Sequence, residues 1–212
     1  MKNICLILLA VITLYACNND DYLVDGGLSQ QQVNATTFDF LQSHKQLDTL
    51  AMLIDKAGLK DQLNGETTLF APNNASINNY VDRRLTELRN EDPQATFTVN
   101  DIHVDTLKKY MGAYIFSGKI TREDMTEQGE ILTALNGEQR RISLQPTNQY
   151  SGQLETFPKY VYYTYKVGDT WEPTSDVNKD DKDVLVRTSN ILTTNGVVHV
   201  LQGSHILFNY DN

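Results

Sequence analysis

Thr67-Thr68-Leu69-Phe70-Ala71-Pro72-Asn73-Asn74-Ala75-Ser76-Ile77 is the stretch on which the fold turns. Its first five residues are β-branched or apolar and read as a short strand. Pro72 cannot donate to a sheet ladder and fixes φ at about −65°, so the strand stops there. Asn73 and Asn74 carry short side-chain oxygens that accept from the first helical N–H groups, so they cap a helix running on through Val81, Leu85 and Leu88. A second stretch near the end, Thr193-Thr194-Asn195-Gly196-Val197-Val198-His199-Val200-Leu201, places Asn195-Gly196 as a tight connection into a buried strand. Within that strand His199 shares a face with Val197 and Leu201 and hydrogen-bonds inside the fold. His44, His103 and His205 are scattered and none stands at metal-ligand spacing from His199, so a structural role outweighs a catalytic or metal-binding one.

Outward from these stretches, Thr37 caps a short helix carrying Phe38 and Leu41, and Leu47, Leu50, Ile54 and Ala57 follow at helical spacing until Gly58. Asp101 to Met111 reads as a further helix through Ile102 and Leu107, running into Tyr114-Ile115-Phe116 and ending at Ser117-Gly118. The remainder reads as strands. Asn136-Gly137, whose residues tolerate positive φ, joins Ile131-Leu132 to Arg141-Ile142-Ser143-Leu144 as a hairpin. Tyr160 to Lys166 alternates around aromatics, and Val184-Leu185-Val186 follows a polar loop. Helices first and strands later give an α+β class.

The 212 residues suit one domain, and 40% hydrophobic with 21% charged residues supports a packed interior. A net charge of −9 argues against nucleic acid as a partner and against polybasic adhesion to anionic lipid. Lys2 precedes an apolar run, Ile4 to Leu14, too short for a membrane span of about 20 residues but suited to a signal-peptide core. Leu14-Tyr15-Ala16-Cys17 resembles the lipobox of bacterial lipoproteins. It implies cleavage before Cys17 and acylation of that residue with palmitate-type chains, several of which anchor stably where one does not. The rival is a plain secretory signal with Cys17 in a disulfide, but Cys5, the only other cysteine, leaves with the leader. The expected organisation is therefore a leader over 1–16, a polar tether over 17–35 and one domain over 36–212. Asn18-Asn19-Asp20-Asp21 resembles the surface-export signal of Bacteroidetes lipoproteins, which places the domain on the outer face of the outer membrane; a solvated linker reads almost as well.

In this order the landmarks resemble the fasciclin family of secreted and surface adhesion domains. Thr67 to Ile77 is similar to the family's Thr-hydrophobic-Phe-Ala-Pro segment, and Thr193 to Leu201 to its closing Asn-Gly-Val-Val-His-Val segment. Leu107 to Gly118 matches its middle helix and strand loosely. The resemblance covers Thr36 to Phe208 and implies a β-wedge with N-terminal helices packed on it, in which Thr68, Phe70, Pro72, Asn195, Gly196 and His199 are architectural. Animal members carry a Tyr-His and an Asp-Ile pair tied to integrin binding; Ala113-Tyr114 and Asn190-Ile191 stand there instead, so integrin binding is not implied. The family also has fewer residues before its last motif, which implies an insertion within about 146–183.

That insertion holds the candidate ligand-binding residues Tyr160, Tyr162 and Trp171. In a strand Tyr160 and Tyr162 face one way and Tyr163 and Tyr165 the other, so one aromatic row is either open to stack on sugar rings or packed on a core. Asp176 to Asp183 begins like a calcium loop, but its sixth place is Asp181 in place of glycine and its twelfth is Arg187, so a solvated loop is the better reading. Neither a nucleophile elbow, a His-Glu-x-x-His pair, a phosphate loop nor a dinucleotide fingerprint occurs. No cofactor and no catalysis are expected. The expected function is a surface-anchored binding or adhesion lipoprotein with a glycan or an envelope or matrix protein as partner. The alternatives are a glycan-capturing accessory of a polysaccharide uptake system and, of a different class, a cell-envelope hydrolase.

Overall fold

In chain order the elements are β1 (Gln31–Gln32), α1 (Thr37–Ser43), α2 (Asp48–Ala57), α3 (Lys60–Leu63), β2 (Thr67–Ala71), α4 (Asn74–Glu91), α5 (Val104–Tyr110), β3 (Ile115–Ser117), β4 (Glu130–Thr133), β5 (Gln139–Pro146), β6 (Lys159–Tyr165), β7 (Lys182–Leu192) and β8 (Gly196–Leu201). The computed structural model describes residues 31–147, 157–176 and 179–208. The expected leader, Cys17, the tether as far as residue 30 and part of the expected insertion lie outside the described residues, as do Val177 and Asn178 of the calcium-like stretch.

Local chemistry sets the helix ends. The cap of α1 is Thr36, whose Oγ1 accepts from the Asp39 N–H at 3.2 Å. Thr37, the expected cap, is instead buried, with its hydroxyl 2.8 Å from that of Thr193. Helix α2 ends on Gly58 in the left-handed region, φ 74°, where a side chain would be strained. Asn73 Oδ1 accepts from Ser76 N–H at 3.0 Å and opens α4. The helix expected from Asp101 begins only at Val104, because Asp101 is taken up by a capping box with Thr98 around a short 3-10 turn.

The strands form one sheet in the order β3-β2-β8-β7-β6-β5-β4, with β1 beside β7. Pairing is parallel for β2–β8 and β1–β7 and antiparallel elsewhere. The sheet curls until its ends meet: Phe116 of β3 bridges Ala134, and the Leu135 N–H donates to the Ile115 carbonyl at 2.8 Å. Curling also explains why Phe70 of β2 lies 5.5 Å from Tyr163 of β6 although β8 and β7 intervene in the sheet. Phe70, Phe116, Tyr163 and His199 fill that interior, while the alternate residues Leu69, Ala71 and Val198 join Leu50, Leu53, Ile54 and Leu63 of the helices in the same apolar core.

Residues 31–35, expected as the end of the tether, are part of this architecture. Strand β6 pairs only with Lys182–Leu185, so the far half of that edge of β7 is open, and β1 fills it opposite Ile191 and Leu192. The Val33 N–H then donates to the Leu192 carbonyl at 2.7 Å.

Both Asn-Gly pairs turn the chain, each by a different device. At the first, Gly137 alone has positive φ (86°), and Asn136 uses its side chain, accepting from the Glu138 N–H and donating to the Lys109 carbonyl. At the second, neither residue has positive φ. Asn195 is a clasp: its Oδ1 accepts from the Thr37 N–H at 2.8 Å, and its Nδ2 donates to the Gly65 carbonyl at 3.0 Å. Gly196 is required by close approach, since a Cβ there would meet the Thr67 carbonyl oxygen at 2.4 Å. Both β2 and β8 are internal strands and cannot retreat. Gly196→Ala is therefore expected to cost about 3 kcal/mol, at the upper end of the typical overpacking range, read as a lower urea midpoint. An unchanged midpoint would show that the approach of the two strands is not limiting.

Candidate functional site

Two places collect chemistry-bearing side chains. The first surrounds His199, which is fully buried and stacked on Phe70 with ring centroids 4.9 Å apart. Its Nε2 donates to the Ile120 carbonyl at 2.9 Å, and its Nδ1 then accepts the Asn190 N–H at 3.4 Å. Burial pushes its pKa down to about 4, so the ring is neutral at physiological pH with the proton on Nε2. Asn190 sits at a break in the register of β7 with φ 60°, a conformation asparagine tolerates better than most residues. Its Oδ1 accepts from the Arg122 N–H at 2.7 Å and its Nδ2 donates to the Glu123 carboxylate at 2.8 Å. That bond from Asn190 holds Glu123 below the ordinary carboxylate range. Thr68 completes the lacing: its hydroxyl donates to the Gly118 carbonyl and accepts from the Ile120 N–H, both at 2.8 Å.

The cluster thus ties residues 118–123 across the sheet and leaves His199 neither nitrogen for a metal or a substrate. Pro72 is buried at the end of β2. The pairs standing where animal members carry integrin-linked residues are interior as well, with Ala113, Tyr114, Asn190 and Ile191 all buried.

The second place is the face of β5 and β6 turned away from the interior. Register puts Tyr160 opposite Gln145, Tyr162 opposite Ser143 and Thr164 opposite Arg141. Tyr160 and Tyr162 are half-exposed there, while Tyr163 and Tyr165 point inward and are buried. Burial raises the Tyr162 phenol above its ordinary pKa, and nearby Asp183 and Tyr160 add to the rise. Trp171 reaches the same face by packing on Arg141, whose guanidinium lies 5.2 Å from the indole ring. The three aromatics singled out in the sequence therefore share one face. Trp171 is the most committed of them, because it covers a charged group.

That charged group and its partner were invisible to local patterns. Arg141 is buried, donates to the Glu172 carbonyl and pairs with the Asp181 carboxylate at 3.4 Å. Asp181 is buried too, accepting the Val167 and Glu172 N–H groups at 3.0 Å each. The loop expected to be merely solvated is thus pinned by its own Asp181, the residue that spoils the calcium pattern. Among the described residues no cluster of three His, Cys, Asp or Glu side chains could hold a metal ion. The adjacent pair Arg140-Arg141 was a signal only for Arg140, which alternation turns inward onto the Tyr163 hydroxyl; neither Arg141 nor Asp181 had one.

A model of the Fasciclin domain family matches residues 45–203, more than half of the chain, and the chain belongs to that family. Among solved structures it is similar to a FAS1 domain pair from the insect cell adhesion molecule Fasciclin I. The match has a TM-score of 0.50 and 15% sequence identity, and covers 82% of this chain and 51% of that one. At that identity the likeness is one of fold, a nearly closed mixed sheet with helices packed on it, and the chain spans about half the length of that solved chain. No curated protein matches the chain.

Two outcomes are expected. His199 and His205 both have pKa values lowered from 6.5 to about 4 by burial, so the unfolded chain binds more protons between those limits. Their contribution to stability is full above pH 6.5 and is lost as pH falls toward 4. Urea midpoints measured across that window are expected to decline, and less steeply in His205→Gln; parallel slopes would contradict it. Asp181→Asn leaves Arg141 buried without its anion and is expected to cost about 3 kcal/mol, with faster hydrogen exchange over 166–176.

Proposed function

We propose that the protein is a lipid-anchored, surface-displayed binding or adhesion module of a bacterial outer membrane, and that it performs no catalysis. The observation that carries this reading is Leu14-Tyr15-Ala16-Cys17 ahead of a domain that belongs to the fasciclin family. Fasciclin domains are generally adhesion and binding domains, and the solved relative comes from a cell adhesion molecule. The engagement of both His199 nitrogens in the fold supports a role without chemistry, and a hydrolase gains nothing from either cluster described above. Acyl chains on Cys17 would hold the domain at the membrane, and the acidic stretch after it would direct the domain outward.

The test is mass spectrometry of the N-terminal peptide from cell envelopes. Loss of residues 1–16 with acyl chains on Cys17 is expected, and Cys17→Ser is expected to release the protein from the membrane fraction and lower cell attachment. An unmodified cysteine with the leader still attached would end this reading.

The half-exposed face of Tyr160 and Tyr162 favours a second reading, capture of a glycan as an accessory of a polysaccharide uptake system. Aromatic faces stack on the C–H faces of sugar rings without needing deep enclosure. Tyr160→Ala with Tyr162→Ala is expected to abolish retention on a polysaccharide affinity gel while the urea midpoint moves little. Equal retention of the variant would remove this reading and leave adhesion to an envelope or matrix protein.

A further inference from the structure

The face that carries Tyr160 and Tyr162 is not bare along its whole length. Its outward-facing residues run in two adjacent rows, Arg141, Ser143 and Gln145 on β5 and, opposite them, Thr164, Tyr162 and Tyr160 on β6. At one end the rows are covered, with Arg141 only 5% and Thr164 0% exposed. At the other end Gln145 is half-exposed, as are Tyr160 and Tyr162. A platform roofed at one end and bare at the other has a direction.

The roof is bonded to what lies beneath it. Trp171 packs on the Arg141 guanidinium, 5.2 Å from its ring, and Arg141 donates to the Glu172 carbonyl. Asp181 pairs with Arg141 and accepts the Glu172 N–H at 3.0 Å. The Thr164 hydroxyl donates to the Asp183 carboxylate at 2.6 Å, and the Lys179 ammonium lies 2.6 Å from that same group. Gly129 closes the flank on the β4 side: a Cβ there would meet Arg141 Cγ at 2.8 Å and Ser143 Cβ at 2.9 Å. A stop built this way is in place before any ligand arrives, so little ordering entropy is lost against it.

The bare end is uncharged. The hydroxyls of Tyr160 and Tyr162 have no hydrogen-bond partner among the described residues. Gln145 spends its Nε2 on the Ser143 hydroxyl at 2.8 Å and keeps its Oε1 as an acceptor. At the roofed end the charges are spent in pairs, Arg141 with Asp181 and Lys179 with Asp183. Phenol rings with spare hydroxyls beside a side-chain amide suit a ring that is apolar on its C–H face and hydroxylated at its rim. The rise of a strand sets Tyr160 and Tyr162 about 7 Å apart, which leaves room for successive rings. The next outward place, Thr164, is already under the roof.

We propose that this face takes the end of a neutral glycan chain and not its middle, with the terminal ring on Tyr162 against the stop made by Trp171. The inference rests on the glycan-capture reading of the same face and adds to it which part of the chain is recognised.

Native electrophoresis of the full chain through gels containing amylose, xylan, mannan, laminarin or polygalacturonate tests it. Polygalacturonate is included because Arg187, past the Tyr162–Leu185 pair, is exposed. Retardation by a neutral polymer is expected. The hexasaccharide of that polymer then competes as three probes, uncapped, capped at its reducing end with a bulky fluorophore, and capped at its non-reducing end with a benzylidene group. One of the two caps is expected to weaken competition at least about tenfold, because the capped end no longer fits against the stop. In Trp171→Ala the same capped probe is expected to compete as well as the uncapped one. Should Trp171→Ala fail to fold, the two caps on the wild-type protein decide alone. Equal competition by all three probes would overturn end capture and leave the glycan reading standing, since a chain would then cross the face. A folded Trp171→Ala still sensitive to the cap would overturn the stop assigned to Trp171, and retardation by polygalacturonate alone would overturn the neutral assignment. No retardation by any of the five polymers would remove the glycan reading and this inference with it.

Discussion

Everything else in the domain depends on Tyr163 crossing the inside of the curled sheet. From β6 its hydroxyl donates to the Ala113 carbonyl at 3.1 Å, just ahead of β3, and accepts from Arg140 Nε of β5 at 2.8 Å. Its ring meets Phe70 of β2, Phe116 of β3 and Tyr114. One fully buried side chain therefore reinforces the meeting of the two ends of the strand order at the Phe116–Ala134 bridge and the Leu135–Ile115 hydrogen bond. A buried phenol without partners would carry an unsatisfied polar group; here the geometry of closure supplies both a donor and an acceptor.

Closure explains how polar side chains come to be spent on architecture. His199, Asn190, Thr68 and Glu123 lace the segment 118–123 to the sheet, and His205 and Tyr114 pair at 2.8 Å beneath the final segment. Groups that in an open cleft would suggest catalysis are here partnered within the fold, and burial keeps His199 and His205 neutral at physiological pH. Outside this lacing, Tyr160 and Tyr162 of β6 stay half-exposed on the face turned away from the interior.

How much of this could be read from the chain depends on the range of the interaction. The strand, turn and helix of residues 67–77, the Gly58 stop and both Asn-Gly connections were legible, because each rests on the φ preference or hydrogen-bonding reach of one or two neighbouring residues. The reason for Gly196 was not, since its lack of a side chain answers to the Thr67 carbonyl far away in sequence and not to its own φ. The same holds for β1, whose pairing needs the vacant half of the β7 edge, and for Asp181, which reads as one acid among many until Arg141 is brought beside it. Tyr160 and Tyr162 were separable from Tyr163 and Tyr165 by alternation alone. Nothing local said that Trp171 would be drawn onto Arg141.

Removing a single oxygen tests the closure most directly. In Tyr163→Phe the ring contacts survive while the Ala113 carbonyl and Arg140 lose their shared partner. If Tyr163 holds the ends of the sheet together, amide hydrogen exchange will accelerate at Ile115–Ser117 and Glu130–Thr133 and remain slow in β2 and β8. Exchange indistinguishable from wild type at those two end strands would contradict it.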